Sequence, residues 1–224
     1  MNINNKKLCF VILIGGKSVR FGSDKGIYEY LGKPLISYQL EILRNFDYNI
    51  FLIAHDKKQI KNYMEKIDYR LITAFILDDL NDLSDHSIRS PLIGIYSALK
   101  ELKNLDYEKA FILSCDMPLI KKSVIELIIK GCKNHDCCIP RWNNGYLEPL
   151  FAIYPISKTF LKAKENLQNS NFKLTALLDD SWKINYISIE EDIKEIDHNL
   201  LSFININGPI DLKKLNTLYK NGLN

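Results

Sequence analysis

Eight short, nearly continuous apolar runs set the architecture of this chain. They are CFVILI (9–14), NIFLIA (49–54), LITAFIL (71–77), AFILSC (110–115), DCCIP (136–140), LFAIY (150–154), INYISI (184–189) and SFININ (202–207). Runs of this length, bounded by turn residues, read as strands buried on both faces; a half-exposed strand would alternate apolar with polar positions. Helical patterns lie between them. Pro34 can open a helix, and Ile36, Leu40 and Leu43 then recur at i, i+4 and i+7. Pro91-Leu92 opens another that runs to about Lys103. Lys121 to Cys132, Ser157 to Gln168 and Pro209 to Lys220 complete the set. Strands alternating with helices predict an α/β fold: a doubly wound, mostly parallel sheet with helices on both faces and right-handed crossovers. The polar loop from Asp78 to Ser90 is long enough to carry function.

Composition narrows the class. The 224 residues make one large domain, and 46% hydrophobic content supports a sizeable core. A net charge of +3 does not by itself point to nucleic acid or a membrane surface. The five cysteines, Cys9, Cys115, Cys132, Cys137 and Cys138, are odd in number and lack a CxxC spacing. They read as small core hydrophobes in a reducing cytosol, which makes the expected location cytoplasmic. The histidines His55, His86, His135 and His198 show no metal-ligand spacing and read as surface or loop residues. The run Leu8 to Ile14 is short for a signal peptide and lacks a cleavage site, so it reads as a strand. No run of 18 apolar residues suggests a membrane span.

The stretch LIGGKSVRFGSDKG (13–26) leaves the carboxyl end of the first expected strand. Ligands bind outside such ends in parallel sheets. Gly15 and Gly16 allow close backbone approach, and their N–H groups suit phosphate oxygens. Lys17, Arg20 and Lys25 supply positive charge. Two familiar phosphate loops are excluded. GxxxxGK[ST] fails because Val11 stands where its first glycine belongs, and GxGxxG fails because Gly15 and Gly16 are adjacent.

Read as Leu13, Gly15, Gly16, Ser18, Arg20, Phe21, Gly22, Asp24 and Lys25, this loop resembles the signature of the molybdenum cofactor guanylyltransferases, nucleotidyltransferases of the GT-A-like, doubly wound fold. GKPL (Gly32 to Leu35), SPLIGI (Ser90 to Ile95), SCDMP (Ser114 to Pro118), GYLEPLFAIYP (Gly145 to Pro155) and FININGPIDL (Phe203 to Leu212) resemble further family segments in the family's order. Ser90 replaces a glycine and Gly208 a threonine; both departures bear on acceptor binding more than on fold. The resemblance spans nearly the whole chain. It implies one nucleotidyltransferase domain over 1–224, with the nucleotide part at about 1–120 and the acceptor part at about 121–224.

The same resemblance implies roles. GTP would contact Leu13, Ile14, Gly15, Gly16, Lys25, Asp78, Gly94 and Asp116, and Arg20, Lys25 and Asp116 would carry catalysis. Asp116 ends the run AFILSC, where a hard carboxylate can hold Mg²⁺; the alternative is a cap on the turn into Pro118. Asp78 is favoured over Asp79 because it follows the apolar run directly, and it would meet either the guanine edge or the ribose. Gly94 serves either nucleotide approach or helix packing. Asp24 either orients Lys25 or caps a turn. Glu148, Asn205 and Asn207 are candidates for the acceptor side, as are Arg141 and Trp142. The implied reaction moves GMP from GTP to the terminal phosphate of molybdenum-bearing molybdopterin, with Mg²⁺ as cofactor and cofactor-assembly or molybdoenzyme-maturation proteins as partners. The rivals are a same-fold cytidylyltransferase acting on molybdopterin or on a sugar or alditol phosphate, and a binding protein that has lost the reaction.

Overall fold

The computed structural model describes residues 7–15, 24–79, 88–208 and 210–213. In chain order the elements are β1 (Leu8–Leu13), β2 (Glu29–Tyr30), β3 (Lys33–Pro34), α1 (Leu35–Leu43), β4 (Asn49–Ala54), α2 (Lys57–Lys66), β5 (Ala74–Leu77) and α3 (Pro91–Asn104). There follow β6 (Lys109–Ser114), α4 (Lys122–Gly131), β7 (Cys137–Arg141), β8 (Phe151–Pro155), α5 (Ile156–Gln168) and β9 (Ile184–Ser188). Seven strands form one sheet in the order β5-β4-β1-β6-β8-β7-β9. β8 runs antiparallel to β6 and β7, and the other pairs are parallel.

β1 shows why the apolar runs are continuous. Successive side chains of a strand point to opposite faces. Phe10 and Ile12 enter one core with Ile36 and Leu40 of α1 and Val124 and Ile128 of α4. Cys9, Val11 and Leu13 enter the other with Leu92, Ile95 and Leu99 of α3 and Ala163 of α5. Both faces are covered, so every position of the strand is apolar. The expected face of α1 is present, with Ile36, Leu40 and Leu43 fully buried. All five cysteines are buried and free. Among the described residues no helix is long and apolar enough to cross a membrane.

Three expectations change. LITAFIL contributes only Ala74–Leu77, because Asp68 accepts from the Arg70 backbone N–H and turns Tyr69–Leu71 into a short 3-10 helix. SFININ is not a strand. Leu201–Phe203 form a 3-10 turn and residues 204–207 are irregular, so Asn205 and Asn207 do not share a strand face. The segment is instead tied to its neighbours: Ser202 Oγ accepts from the Lys121 backbone N–H at 3.0 Å, and Ile206 N donates to the Asp116 carbonyl at 2.8 Å. The third change is α2, which was not anticipated; Asp56 caps it by accepting from Gln59 N at 2.7 Å. Of the expected last helix, residues 210–213 are helical, and Pro209 and 214–224 lie outside the described residues.

GKPL forms part of a hairpin between β2 and β3, whose two loop residues, Leu31 and Gly32, both have positive φ. Such a turn requires φ > 0 at both positions, which accounts for Gly32.

The turn after β6 is held from beneath. Gln39 of α1, fully buried, donates through Nε2 to the carbonyls of Ser114 (2.7 Å) and Met117 (2.8 Å) and so brackets Asp116. Replacing Gln39 by leucine leaves both carbonyls without that donor. The expected loss is about 1–3 kcal/mol of unfolding free energy in a urea titration; a change within experimental error would show that the turn does not depend on Gln39.

Candidate active site

A cavity of about 350 Å³ opens at the carboxyl edge of the sheet, where β1, β4, β5 and β6 end. Its wall includes Leu13, Gly15, Asp78, Gly94 and Ser114. Gly15 is exposed, has no positive φ, and a Cβ built on it would meet nothing within 4 Å among the described residues. No positive φ therefore calls for a glycine at this position. Of the two readings of Gly94, helix packing is the one its contacts support. A Cβ there would come within 3.2 Å of Leu13 Cδ2 and 3.4 Å of both Asp78 Oδ1 and Ile53 Cγ2, so it packs α3 onto the sheet at the cavity wall.

Asp78 and Asp79 part company. The Asp78 backbone N–H donates to the Ala54 carbonyl at 2.9 Å, and its side chain lines the cavity. Burial pushes the Asp78 carboxyl up to about 6, against weaker opposing pulls from His55 and Arg89. Asp79 belongs to α3: its N–H donates to Ser97 Oγ at 2.7 Å, and its carboxylate accepts from Lys100 Nζ at 2.6 Å.

Beyond Ser114, which lies on the cavity wall, a second group of side chains converges. Lys25 Nζ donates to Asp116 Oδ2 at 3.0 Å and to Asn207 Oδ1 at 2.8 Å. Less than a fifth of the Lys25 and Asp116 side chains is exposed, so each charge stands as the other's counterion. The second oxygen, Asp116 Oδ1, is buried and has no hydrogen-bond partner among the described residues. An orphaned carboxylate oxygen of this kind fits a hard cation. No group of three or more His, Cys, Asp or Glu side chains that could hold a metal ion occurs among the described residues. Glu148 accepts from Trp142 Nε1 at 2.7 Å; burial raises its carboxyl, with the Asp116 charge adding to the effect. Trp142 packs edge-on against Phe203. Arg141 ends β7, with its guanidinium over Tyr186.

The remaining expected residues fall elsewhere. Ile14 is buried in the core, its N–H donating to the Ile53 carbonyl and its own carbonyl accepting from Gln59 Nε2. Asn205 is exposed beside Ile206. Gly16 and Arg20 lie outside the described residues, as do Lys17, Ser18, Phe21 and Gly22. Asp24 does not cap its turn. Its carboxylate accepts from Gln59 Nε2 and from the Tyr63 hydroxyl at 2.9 Å, and burial raises it despite those bonds.

Sequence reasoning missed His55, Gln59 and Tyr63. His55 is no bland surface residue: it lines the cavity, its Nε2 lies 3.1 Å from Asp56 Oδ2, and its Nδ1 is buried with no partner among the described residues. The available signal was Asp56 as an N-cap, with Gln59 and Tyr63 four apart behind it.

Gly26 permits the Asp24 contacts, since a Cβ on it would lie 2.2 Å from the Tyr63 hydroxyl oxygen. Tyr63 is fully buried and has no room to swing away. Gly26→Ala is therefore expected to cost about 1–3 kcal/mol of stability and to weaken nucleotide binding. Thermal melts and calorimetric titration would check it; a variant with wild-type values for both would show that the contact relaxes freely.

Residues 10–181 match the family described as the MobA-like NTP transferase domain. A protein of Thermococcus gammatolerans named "probable molybdenum cofactor guanylyltransferase" is 33% identical over 213 residues, covering 91% of this chain and 96% of its own length. The crystal structure of molybdopterin-guanine dinucleotide biosynthesis protein A from Archaeoglobus fulgidus superposes with a TM-score of 0.73 at 26% identity, covering 95% of this chain and 99% of that one. The 4-diphosphocytidyl-2C-methyl-D-erythritol synthase of Anaerococcus prevotii superposes with a TM-score of 0.65 at 14% identity, a likeness of fold alone. The chain is a nucleotidyltransferase, and it belongs to the family of MobA-like NTP transferase domains.

Proposed function

We propose that this chain transfers GMP from GTP to the terminal phosphate of molybdenum-bearing molybdopterin, giving molybdopterin guanine dinucleotide and pyrophosphate. The observation that carries this reading is the Lys25–Asp116 pair, set beyond one wall of a cavity whose other wall holds Asp78. The acceptor phosphate oxygen attacks the α-phosphorus. The bond from that phosphorus to the bridging oxygen breaks, and the electron pair leaves with pyrophosphate. An anionic phosphate needs no strong general base; it needs alignment with a second polyanion and relief of charge. Lys25 offers a preorganised cation for this, and Arg20 is assigned the same task from the resemblance. Asp116 would hold Mg²⁺ through its orphaned Oδ1, and the bound cation would offset phosphate charge.

Asp78 would read the base. An ionised carboxylate accepts from guanine N1–H and N2–H₂ together, a pair of donors that cytosine lacks. Glu148 and Asn207, beside the Lys25–Asp116 pair, and Asn205, on the same segment as Asn207, are assigned to the acceptor side. Five buried free thiols fit a reducing compartment, hence a cytosolic site of action.

Calorimetry with GTP, CTP, UTP and ATP in the presence of Mg²⁺ tests the reading. GTP should bind best, and Lys25→Ala should lower the transfer rate about 10²- to 10³-fold. Preference for CTP would overturn the guanylyl assignment, and failure to bind any nucleotide would overturn the site.

Asp78 adds a pH signature. Its ionised form is needed for guanine, so GTP affinity should rise with pH through about 6. Stability should move the other way. The folded chain holds the Asp78 proton up to about pH 6, whereas the unfolded chain releases it near 3.8, so the contribution of Asp78 to stability falls across that window. Asp78→Asn should therefore melt at a higher temperature than wild type above pH 6 while losing its preference for GTP. A variant that keeps that preference would remove Asp78 from base recognition.

A further inference from the structure

The glycine loop starts at Gly15 and ends at Lys25, and one buried carboxamide grips the residue before each limit. Gln59, in the first turn of α2, is 3% exposed. Its Nε2 donates to the Ile14 carbonyl at 2.8 Å and to Asp24 Oδ2, which uses both hydrogens of the amide. Its Oε1 accepts from the His55 backbone N–H at 2.9 Å, adding the end of β4. One helical turn later, at i+4, the Tyr63 hydroxyl donates to the other Asp24 oxygen at 2.9 Å. Both carboxylate oxygens of Asp24 are thus held by one face of α2. Asp24 itself is extended, with φ −65° and ψ 126°. The next residue, Lys25, reaches away from α2 to Asp116 and Asn207.

We infer that Gln59, seconded by Tyr63, is a positioning residue for nucleotidyl transfer: it clasps Ile14 and Asp24 together and thereby fixes where Lys25 presents its ammonium group. The inference rests on the nucleotidyl-transfer reading. Gln59 acts on the reaction only through Asp24 and the backbone. Only an amide at this place donates twice and accepts once; methionine has similar length and volume and does neither.

The test is a double-mutant cycle in calorimetric titration with magnesium GTP, using wild type, Gln59→Met, Lys25→Ala and the double variant, with circular dichroism melts as a check on folding. Gln59→Met in the Lys25-containing chain should weaken GTP binding roughly 10-fold. The same substitution in the Lys25→Ala background should change the affinity by less than about 2-fold, because the group it positions is gone. Equal losses in both backgrounds, or wild-type affinity in Gln59→Met, would overturn the inference and leave the transfer reading intact. A wild-type chain that binds no GTP would overturn the transfer reading itself, before any variant is compared. If Gln59→Met does not fold, Tyr63→Phe, which keeps the ring and removes one hydroxyl, runs through the same cycle with the same expected signs.

Discussion

A strand paired on both edges and buried on both faces has only its ends left for chemistry. β1 is such a strand: β4 and β6 flank it, and both cores close over it. Everything at the site is placed relative to its carboxyl end. Gly15 follows it, Asp78 ends β5 two strands away, and the turn carrying Asp116 leaves the adjacent β6. The apolar continuity that builds the core also gathers these chain reversals along one edge, as parallel connectivity requires.

At that edge two opposite charges meet. Lys25 and Asp116 are 91 residues apart in sequence and 3.0 Å apart in space. A charge taken this far out of water is costly unless it is matched. Each matches the other in the chain as it stands, and each suits a further partner of opposite sign. Lys25 suits a phosphate, and the spare Asp116 oxygen suits a cation. The pair thus keeps two reactive charges in place in a partly desolvated setting, where their fields are least screened.

Asp24, Asp78 and Glu148 share one signature: burial raises the carboxyl of each. Their surroundings differ, and so do their parts. Asp24 has both oxygens hydrogen-bonded, which makes it an anchor for the chain that carries Lys25. Glu148 is tied to Trp142 and feels Asp116. Asp78 faces the cavity with His55 and Arg89 nearby, open to a ligand that donates to it.

Local pattern carried far in this protein. Seven of the eight apolar runs hold the seven strands of the main sheet, because doubly buried strands must be apolar throughout. The periodicity of Ile36, Leu40 and Leu43 is enough to orient α1. Gly15 and the aspartate after the run AFILSC fall at the carboxyl edge of the sheet, and GKPL turns a hairpin, because strand ends and positive φ depend on residues close in sequence. Packing decided the rest. The run SFININ reads as a strand, yet it is drawn into an irregular path by Asp116 and Lys121, partners far from it in the chain. The separation of Asp78 from Asp79 depends on Ser97 and Lys100 of α3. Gln59 carries no local mark of its importance, since its worth lies in reaching Ile14, 45 residues away, and Asp24, 35 residues away. The sequence by itself determined most of the sheet's strands and the residue types that follow their carboxyl ends. Only the tertiary structure decided which of them touch, because contacts between distant segments are settled by how whole faces pack, and no local period records that.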